Sequence, residues 1–313
     1  MQRDRLRIVF LGTAAFGVPA LEALLRSHHQ VAGVVTAPDK PAGRGLQTAM
    51  SPIKQVALQY GIPVLQPVKL KDAGFLEQLQ ALRPDLQVVV AFRMLPEAVW
   101  KLPPMGTINI HASLLPDYRG AAPIQWAIIN GETETGITIF QLSHDIDTGD
   151  VLAQVRTPIL PGETAGELHD RLKMIGAELL MNTIEDMMHH RLQPIPQAQL
   201  VKPGMTLHPA PKIHKSDAQI FWDRPAAQVV QWILGMNPAP VAWTQLDGKI
   251  LRIFRAHVCL PLSSPAAPPG TWDTDGKTYL HVAAADGWVA VDELQLEGRK
   301  RLPVKEFLKG FRR

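Results

Sequence analysis

The stretch LRIVFLG at residues 6–12 predicts a buried β-strand that ends in a glycine turn. A helical segment follows it, with Pro19 in the first turn, and a second apolar run covers Val31–Val35. Strand patterns recur at 86–92, 107–110, 136–142 and 150–156, and helical patterns at about 71–82, 123–130 and 164–190. Strands that are apolar on both faces and alternate with helices predict an α/β fold with a doubly wound, mostly parallel sheet.

The chain changes in character near Gln193. Between residues 193 and 211 it has five prolines and little periodicity, which is typical of a linker. Beyond residue 212 short β-like runs alternate, with one helix near 225–235, and this pattern predicts a small β-barrel of the OB type. We therefore expect an α/β domain over 1–190, a proline-rich linker over 191–211 and a β-barrel domain over 212–313.

The composition excludes several classes of protein. Of the 313 residues, 46% are hydrophobic and 19% are charged, so an intrinsically disordered chain is excluded. Cys259 is the single cysteine, which excludes an intramolecular disulfide and a thiolate zinc site. The apolar run at 8–11 is too short for a signal peptide or a membrane span, so we expect a cytoplasmic protein with no membrane partner.

The net charge of +3 is concentrated at the carboxyl terminus. Between residues 299 and 313, seven lysines and arginines face one acidic residue, Glu306. A clustered basic tail predicts a polyanionic partner, with nucleic acid as the first candidate. The alternative is a solvated tail that only keeps the protein in solution.

Two polar side chains stand at the end of a predicted strand. Asn109 and His111 are two residues apart, so their side chains project to the same side of the strand. An amide and an imidazole at that position can stabilise an oxyanion and exchange protons, although a lone histidine there can also be structural.

An aspartate-rich segment at 143–150 follows farther along the chain. Its spacing allows Asp145, Asp147 or Asp150 to pair with the imidazole of His111, and it also allows a plain solvated turn.

Three longer motifs carry a family resemblance. The segments NIHASLLP at 109–116, RGAAPI at 119–124 and DTGD at 147–150 resemble the 10-formyltetrahydrofolate-dependent formyltransferases, and among them the enzymes that act on methionyl-tRNA. Further similar segments extend the match over nearly the whole chain: FLGT at 10–13, PDKPAGRG at 38–45, APKI at 210–213 and NPAP at 237–240.

The resemblance implies a role for particular residues. It makes Asn109, His111 and Asp147 the catalytic residues of a domain over 1–190. It implies a folate site lined by Ser113, Leu114, Leu115 and Pro116. It also implies that Lys40 and Arg44, in an irregular loop over 37–52, grip the acceptor end of a tRNA. Arg93 stands where many relatives have glycine, at the border of the expected pterin pocket.

The implied reaction transfers a formyl group from 10-formyltetrahydrofolate, as cosubstrate, to the α-amino group of initiator methionyl-tRNA. No metal is expected, the β-barrel over 212–313 would bind the tRNA, and we expect a monomer. The same catalytic residues would serve a formyltransferase for amino-sugar nucleotides or a hydrolase that releases formate. A non-catalytic RNA-binding protein is the alternative from another class.

Overall fold

The computed structural model describes residues 4–42, 47–259 and 267–310. Among them the helices are α1 (Val18–Arg26), α2 (Pro52–Gln59), α3 (Ala73–Ala81), α4 (Glu97–Trp100), α5 (Pro123–Ile129), α6 (Ala165–Met188), α7 (Ala226–Gly235) and α8 (Val304–Lys309). The first eleven strands are β1 (Arg7–Gly12), β2 (Gln30–Val35), β3 (Lys40–Ala42), β4 (Gln47–Ala49), β5 (Val64–Leu65), β6 (Leu86–Val90), β7 (Thr107–His111), β8 (Arg119–Gly120), β9 (Glu134–Gln141), β10 (Val151–Pro158) and β11 (Pro209–Ala210). The remaining strands are β12 (Ala242–Leu246), β13 (Lys249–Val258), β14 (Trp272–Thr274), β15 (Leu280–Ala283), β16 (Trp288–Leu296) and β17 (Leu302–Pro303).

A seven-stranded sheet has β1 near its centre, and its strand order is β10-β9-β7-β6-β1-β2-β5. The pairs β1–β2, β1–β6, β2–β5 and β6–β7 are parallel, whereas β7–β9 is antiparallel. Strand β1 is central because its apolar side chains are buried on both faces, with Phe10 and Leu11 fully buried. The predicted α/β class with a mostly parallel sheet is confirmed.

The strand order reverses direction between β1 and β6. From β1 the chain adds β2 and β5 on one side, and it then returns to place β6 and β7 on the other side. The carboxyl ends of β1 and β6 therefore bound the crevice in which open α/β sheets bind ligands. Gly12 ends β1 at this crevice, where a Cβ atom would lie 3.0 Å from the carbonyl oxygen of Val90.

The carboxyl-terminal part contains six antiparallel strands in the order β12-β13-β16-β15-β14, with β17 paired to β16. Helices α7 and α8 contribute to its core, where Val229, Ile233 and Phe307 pack with the inward side chains of the strands. These strands form a half-barrel, which agrees with the predicted fold class. Within the described residues, no helix combines the length and the hydropathy that crossing a bilayer requires.

The chain divides into two compact units, and each unit consists of three separate segments of the sequence. One unit contains Met1–Gly120, Gly136–Thr157 and His169–Pro209. The other contains Ala121–Thr135, Pro158–Leu168 and Ala210–Arg313. Two segments that precede the proline-rich stretch in sequence thus belong with the half-barrel.

Two local expectations were wrong. The loop over 37–52 is not irregular throughout, because β3 and β4 pair as an antiparallel hairpin. The basic stretch that begins at Arg299 is not a free tail, because it contains β17 and α8, and Phe307 and Leu308 of α8 are buried. In both cases local pairing or packing gives structure to a segment that charge and turn residues had marked as solvated.

Candidate active site

Strand β7 carries two of the predicted catalytic residues to the carboxyl edge of the sheet. Asn109 lies beside Val89 of β6 and Phe140 of β9, and His111 is the last residue of the strand. The side-chain oxygen Oδ1 of Asn109 is buried without a hydrogen-bond partner. An unsatisfied buried polar atom costs about 1–3 kcal/mol, so a ligand that donates to this oxygen would be stabilised.

The imidazole of His111 is buried and fixed in orientation. Its Nε2 atom lies 2.9 Å from the carbonyl oxygen of Tyr118. Because a carbonyl oxygen only accepts, Nε2 carries the proton in this contact. The other ring nitrogen, Nδ1, lies 3.8 Å from Oδ2 of Asp147, which is too long for a hydrogen bond but close for an ionic interaction.

Asp147 belongs to the aspartate-rich loop that joins β9 to β10. Its Oδ2 atom accepts a hydrogen bond of 3.0 Å from the backbone N–H of Gly120, and its backbone has a positive φ of 54°. A non-glycine residue in this region is strained by about 1–3 kcal/mol, and such strain is found at functional sites. Of the three aspartates that the spacing allowed, Asp147 is the one that lies next to His111.

The predicted folate residues 113–116 form a tight turn after β7. Ser113 is fully buried, and its hydroxyl donates to the carbonyl oxygen of Asp117 at 2.7 Å. Thr138, on the neighbouring strand β9, donates to the carbonyl oxygen of Ser113 and accepts from the N–H of Leu115. Leu115 is 2% exposed, whereas Leu114 is only half-buried. The hydroxyl of Ser113 and the side chain of Leu115 are thus engaged within the protein.

Three further residues, which no sequence motif indicated, contact the candidate catalytic residues or the turn beside them. Tyr118 fixes His111 through its carbonyl oxygen. His208 donates its backbone N–H to Asp117 at 2.6 Å, and its ring stacks on Tyr118 at 5.3 Å. Gln197 is buried, and its side chain contacts the aspartate-rich loop. His208 and Gln197 lie in the stretch that the prolines marked as a linker, so no spacing pattern pointed to them.

Of the two predicted tRNA residues, the structure describes Lys40, which lies in the hairpin of β3 and β4. Lys40 is exposed at the start of β3, and Arg44 lies outside the described residues. The hairpin is anchored at its base by Asp39, which pairs with the Lys54 ammonium group. Hydrogen bonds from Lys54 and Gln66 lower the pKa of Asp39.

Arg93 does not project freely from the end of β6. Its guanidinium group donates to the carbonyl oxygens of Pro67 and Val68, the latter at 2.8 Å. It also lies 5.6 Å from the ring centroid of Phe92. The arginine therefore ties the segment after β6 to the segment after β5.

A separate cluster brings His28 and His29 within 3.7 Å of Glu185 on α6. The Nδ1 atom of His29 accepts the Leu6 N–H at 3.5 Å, so a neutral ring keeps its proton on Nε2, the atom that faces the carboxylate. A metal ion would have to displace that proton. The sequence predicted no metal, and this stays a prediction.

Two family models match the chain in succession. The formyl transferase model matches residues 6–184, and the model for the formyl transferase C-terminal domain matches residues 212–312. The first alone covers more than half of the chain. The chain belongs to the formyl transferase family.

This formyl transferase is similar over its whole length to curated relatives. The methionyl-tRNA formyltransferase of Bacteroides thetaiotaomicron is 48% identical over 317 residues, which cover 100% of this chain and 98% of the relative. That of Parabacteroides distasonis is 47% identical over 321 residues, again 100% of this chain and 98% of the relative. The enzyme class that the resemblance implied is confirmed.

Solved structures at lower sequence identity share the fold. The N-formyltransferase from Helicobacter canadensis, in complex with folinic acid and dTDP-3-aminofucose, gives a TM-score of 0.67 at 18% identity and covers 91% of this chain and 98% of that one. HypX from Aquifex aeolicus, in complex with tetrahydrofolic acid, gives a TM-score of 0.65 at 20% identity, with 97% of this chain and 47% of that one covered.

Proposed function

We propose that this protein transfers the formyl group of 10-formyltetrahydrofolate to the α-amino group of methionyl-tRNA, which produces formyl-methionyl-tRNA for initiation of translation in the cytoplasm. One observation carries the proposal: His111, oriented by Tyr118, faces Asp147 beside the unpartnered amide oxygen of Asn109. It is supported by relatives of that name that match the whole chain. Because one chain supplies all three side chains, we propose that it acts as a monomer.

Asn109 stabilises the charge that develops during transfer. Attack of the neutral amine on the formyl carbon places negative charge on the formyl oxygen, and the side-chain NH₂ of Asn109 donates to that oxygen. Such a donor acts most strongly where charge develops, away from water. The amide oxygen, which has no partner in the free protein, accepts from the attacking nitrogen.

His111 exchanges the proton through Nδ1. Since Nε2 donates to Tyr118, the lone pair of the neutral ring is on Nδ1. The α-amino group has a reference pKa of about 7.7–8.0, so a weak base is sufficient to accept its proton. Once Nδ1 is protonated, the carboxylate of Asp147, 3.8 Å away, stabilises the positive charge. The bond between the formyl carbon and N10 of the folate then breaks, and the proton held on Nδ1 passes to N10, so tetrahydrofolate leaves and the imidazole becomes neutral again.

The turn at 113–116 forms one wall of the folate site in this proposal. Since the side chains of Ser113 and Leu115 are used internally, the turn offers its backbone and the side chain of Leu114. The crevice at the carboxyl ends of β1 and β6 is the place where this fold binds ligands.

Basic side chains of the half-barrel contact the RNA. Lys249, Arg299 and Lys309 line one cavity of about 450 Å³ together with Asp247. Positive groups around a concave surface attract phosphates, and such binding weakens with salt. We assign catalysis to 1–190, the linker to 191–211 and tRNA binding to 212–313, with Lys40 and Arg44 contacting the acceptor end.

The experiment that tests the proposal offers 10-formyltetrahydrofolate with two acceptors in parallel, charged methionyl-tRNA and an amino-sugar nucleotide. Formyl-methionyl-tRNA as the sole formylated product supports the proposal. Formylated sugar, or free formate from either mixture, contradicts it.

Variants of the catalytic residues complete the test. We expect Asn109→Ala and His111→Ala to lower kcat by about 10²–10³-fold, the usual loss when a group of this kind is removed. The exposed His190→Ala serves as the matched control and should transfer at the wild-type rate. A His111→Ala protein that keeps more than about a tenth of the activity contradicts the assigned role.

A further inference from the structure

The buried side chain of Gln197 joins the two loops that meet at the candidate catalytic aspartate. It lies in the proline-rich stretch and is 3% exposed. Its Nε2 atom donates to the carbonyl oxygen of Asp147 at 2.9 Å and to that of Gly149 at 2.8 Å. Its Oε1 atom accepts from Nε and Nη2 of Arg119 at 3.0 and 2.6 Å. One amide group therefore makes four hydrogen bonds.

The orientation of this amide follows from its partners. An arginine side chain can only donate and a backbone carbonyl can only accept, so the oxygen of Gln197 must face Arg119 and the nitrogen must face the loop. The bonds from Arg119 are charge-assisted and so among the stronger ones.

The contacts converge on Asp147. Gln197 holds its backbone carbonyl, while Gly120, the neighbour of Arg119, donates to its carboxylate at 3.0 Å. The stretch that carries Gln197 is itself fixed, because Ile195 and Val151 exchange two backbone hydrogen bonds of 2.8 and 2.9 Å at the start of β10. Asp147 has a strained φ of 54°, so it keeps its position only where surrounding contacts impose it.

We propose that Gln197 is a positioning residue for formyl transfer, which sets the distance between Asp147 and the imidazole of His111. The expected effect of Gln197 on kcat rests on the proposed function, whereas its effect on the position of the loop does not. Because Gln197 is buried and both ends of its amide are bonded within the protein, it acts through the backbone of the aspartate-rich loop.

The substitution Gln197→Glu separates the two interactions of this side chain, the one with Arg119 and the one with the aspartate-rich loop. The glutamate keeps an oxygen acceptor for Arg119, now with a full charge, so the protein is expected to fold. It has no N–H to donate, and it turns a second oxygen toward the carbonyls of Asp147 and Gly149. We expect kcat to fall at least tenfold, with KM for both substrates changed less than threefold. We also expect a displaced low-pH limb in the kcat–pH profile, because Asp147 no longer faces Nδ1 of His111 at the same distance.

Two further variants keep the test decisive. Gln199→Ala removes an exposed glutamine from the same short helical turn and should match the wild-type kcat and pH profile. Gln197→Met, of similar size, removes all four hydrogen bonds and should lower kcat at least as much as Gln197→Glu. If Gln197→Glu keeps more than half of the wild-type kcat, or if Gln199→Ala loses as much, the inference is wrong.

Hydrogen exchange tests the inference independently of the reaction. The amide N–H of Gly120 is bonded to the carboxylate of Asp147, so displacement of the loop exposes it. We expect its exchange to accelerate at least tenfold in Gln197→Glu and to be unchanged in Gln199→Ala. Unchanged exchange in Gln197→Glu contradicts the inference. If the wild-type protein formylates neither acceptor but the exchange result is obtained, the proposed function fails while the positioning of the loop by Gln197 stands.

Discussion

Single backbone positions determine the path of the aspartate-rich loop. Gly149 lies so close to β9 that a Cβ atom built on it would be 1.6 Å from the carbonyl oxygen of Gln141. That oxygen belongs to the backbone and cannot move aside as a flexible side chain can. Asp147, two residues earlier, has the positive φ that brings its carboxylate back toward β7.

We therefore predict that Gly149→Ala displaces the loop and removes most of the activity. The expected cost is at the upper end of single substitutions, about 3 kcal/mol or more in the free energy of unfolding, because the backbone must shift. Urea denaturation and a transfer assay measure the two effects. Gly74→Ala in α3, where the nearest atom to an added Cβ is a carboxylate oxygen at 3.3 Å, is the control. Equal effects of the two substitutions would show that the contact with Gln141 is unimportant.

A second residue-scale effect concerns His281 in β15. Burial lowers the pKa of His281, His257 lowers it further, and Asp273 opposes the shift. A histidine whose pKa is lower in the folded state binds fewer protons there than in the unfolded chain. The free energy of unfolding therefore decreases as the pH falls below the unfolded value of about 6.5.

We predict that His281→Gln reduces the decrease in the free energy of unfolding at low pH. Denaturation at pH 7.5 and pH 5.5 should show a smaller difference in stability for the variant than for the wild type. The exposed His190→Gln should retain the wild-type difference. A variant that loses as much stability as the wild type over this interval would contradict the assignment.

At the scale of elements, the long helix α6 begins with a capping box. The backbone N–H of Thr164 donates to the carboxylate of Glu167 at 2.9 Å, and the N–H of Glu167 lies 3.3 Å from the Thr164 hydroxyl. The bond from the Thr164 backbone, more than any other contact, lowers the pKa of Glu167. Glu167 also pairs with Arg255 of β13, so the first turn of the helix is tied to the half-barrel strands.

Thr164→Ala is expected to lower the free energy of unfolding by about 0.5–2 kcal/mol, the usual cost of losing a helix cap. Thermal denaturation followed by circular dichroism measures it. Glu178→Gln, at an exposed position inside the same helix, should stay within about 0.5 kcal/mol of the wild type. A Thr164→Ala protein as stable as Glu178→Gln would mean that the cap contributes nothing.

At the scale of the whole molecule, the basic carboxyl-terminal segment contributes apolar side chains to the half-barrel core as well as positive charges to the surface. Phe307 and Leu308 are 2% and 3% exposed in the half-barrel core. Arg301 donates to both carboxylate oxygens of Glu293 and lies 4.1 Å from the ring centroid of Phe254. A truncation of this segment would therefore remove buried core residues together with the basic side chains, so it cannot test the role of the charges alone.

Deleting residues 302–313 should destabilise the half-barrel by several kcal/mol, because loss of one buried phenylalanine or leucine side chain alone costs about 2–5 kcal/mol. The double substitution Lys300→Gln and Lys305→Gln, at exposed positions, should leave stability within about 0.5 kcal/mol per site. It should also flatten the salt dependence of tRNA binding by about 0.7–0.9 in slope for each phosphate that the protein no longer neutralises. A truncated protein with wild-type stability would contradict the structural role of residues 302–313. An unchanged salt slope in the double variant would contradict a role of the two lysines in tRNA binding.

The family and the α/β class were predictable from the sequence alone, and so was the proposed set of catalytic residues. Asn109, His111 and Asp147 stand in uninterrupted motifs whose residues follow one another at the end of a strand or in one loop, so a linear pattern contains them. Strands such as β1 and β6 were predictable for the same reason, because burial on both faces requires a continuous apolar run.

The contacts that hold these residues in place could not be predicted from the sequence. Tyr118 orients His111 through a carbonyl group that every residue has, so no side-chain pattern indicates it. Gln197 reaches Asp147 across 50 positions, from a stretch whose prolines suggested a plain linker. Helix α8 packs through two apolar residues among many charges. Contacts between residues distant in sequence depend on how the chain folds back on itself. Local periodicity and charge do not indicate which distant residues meet.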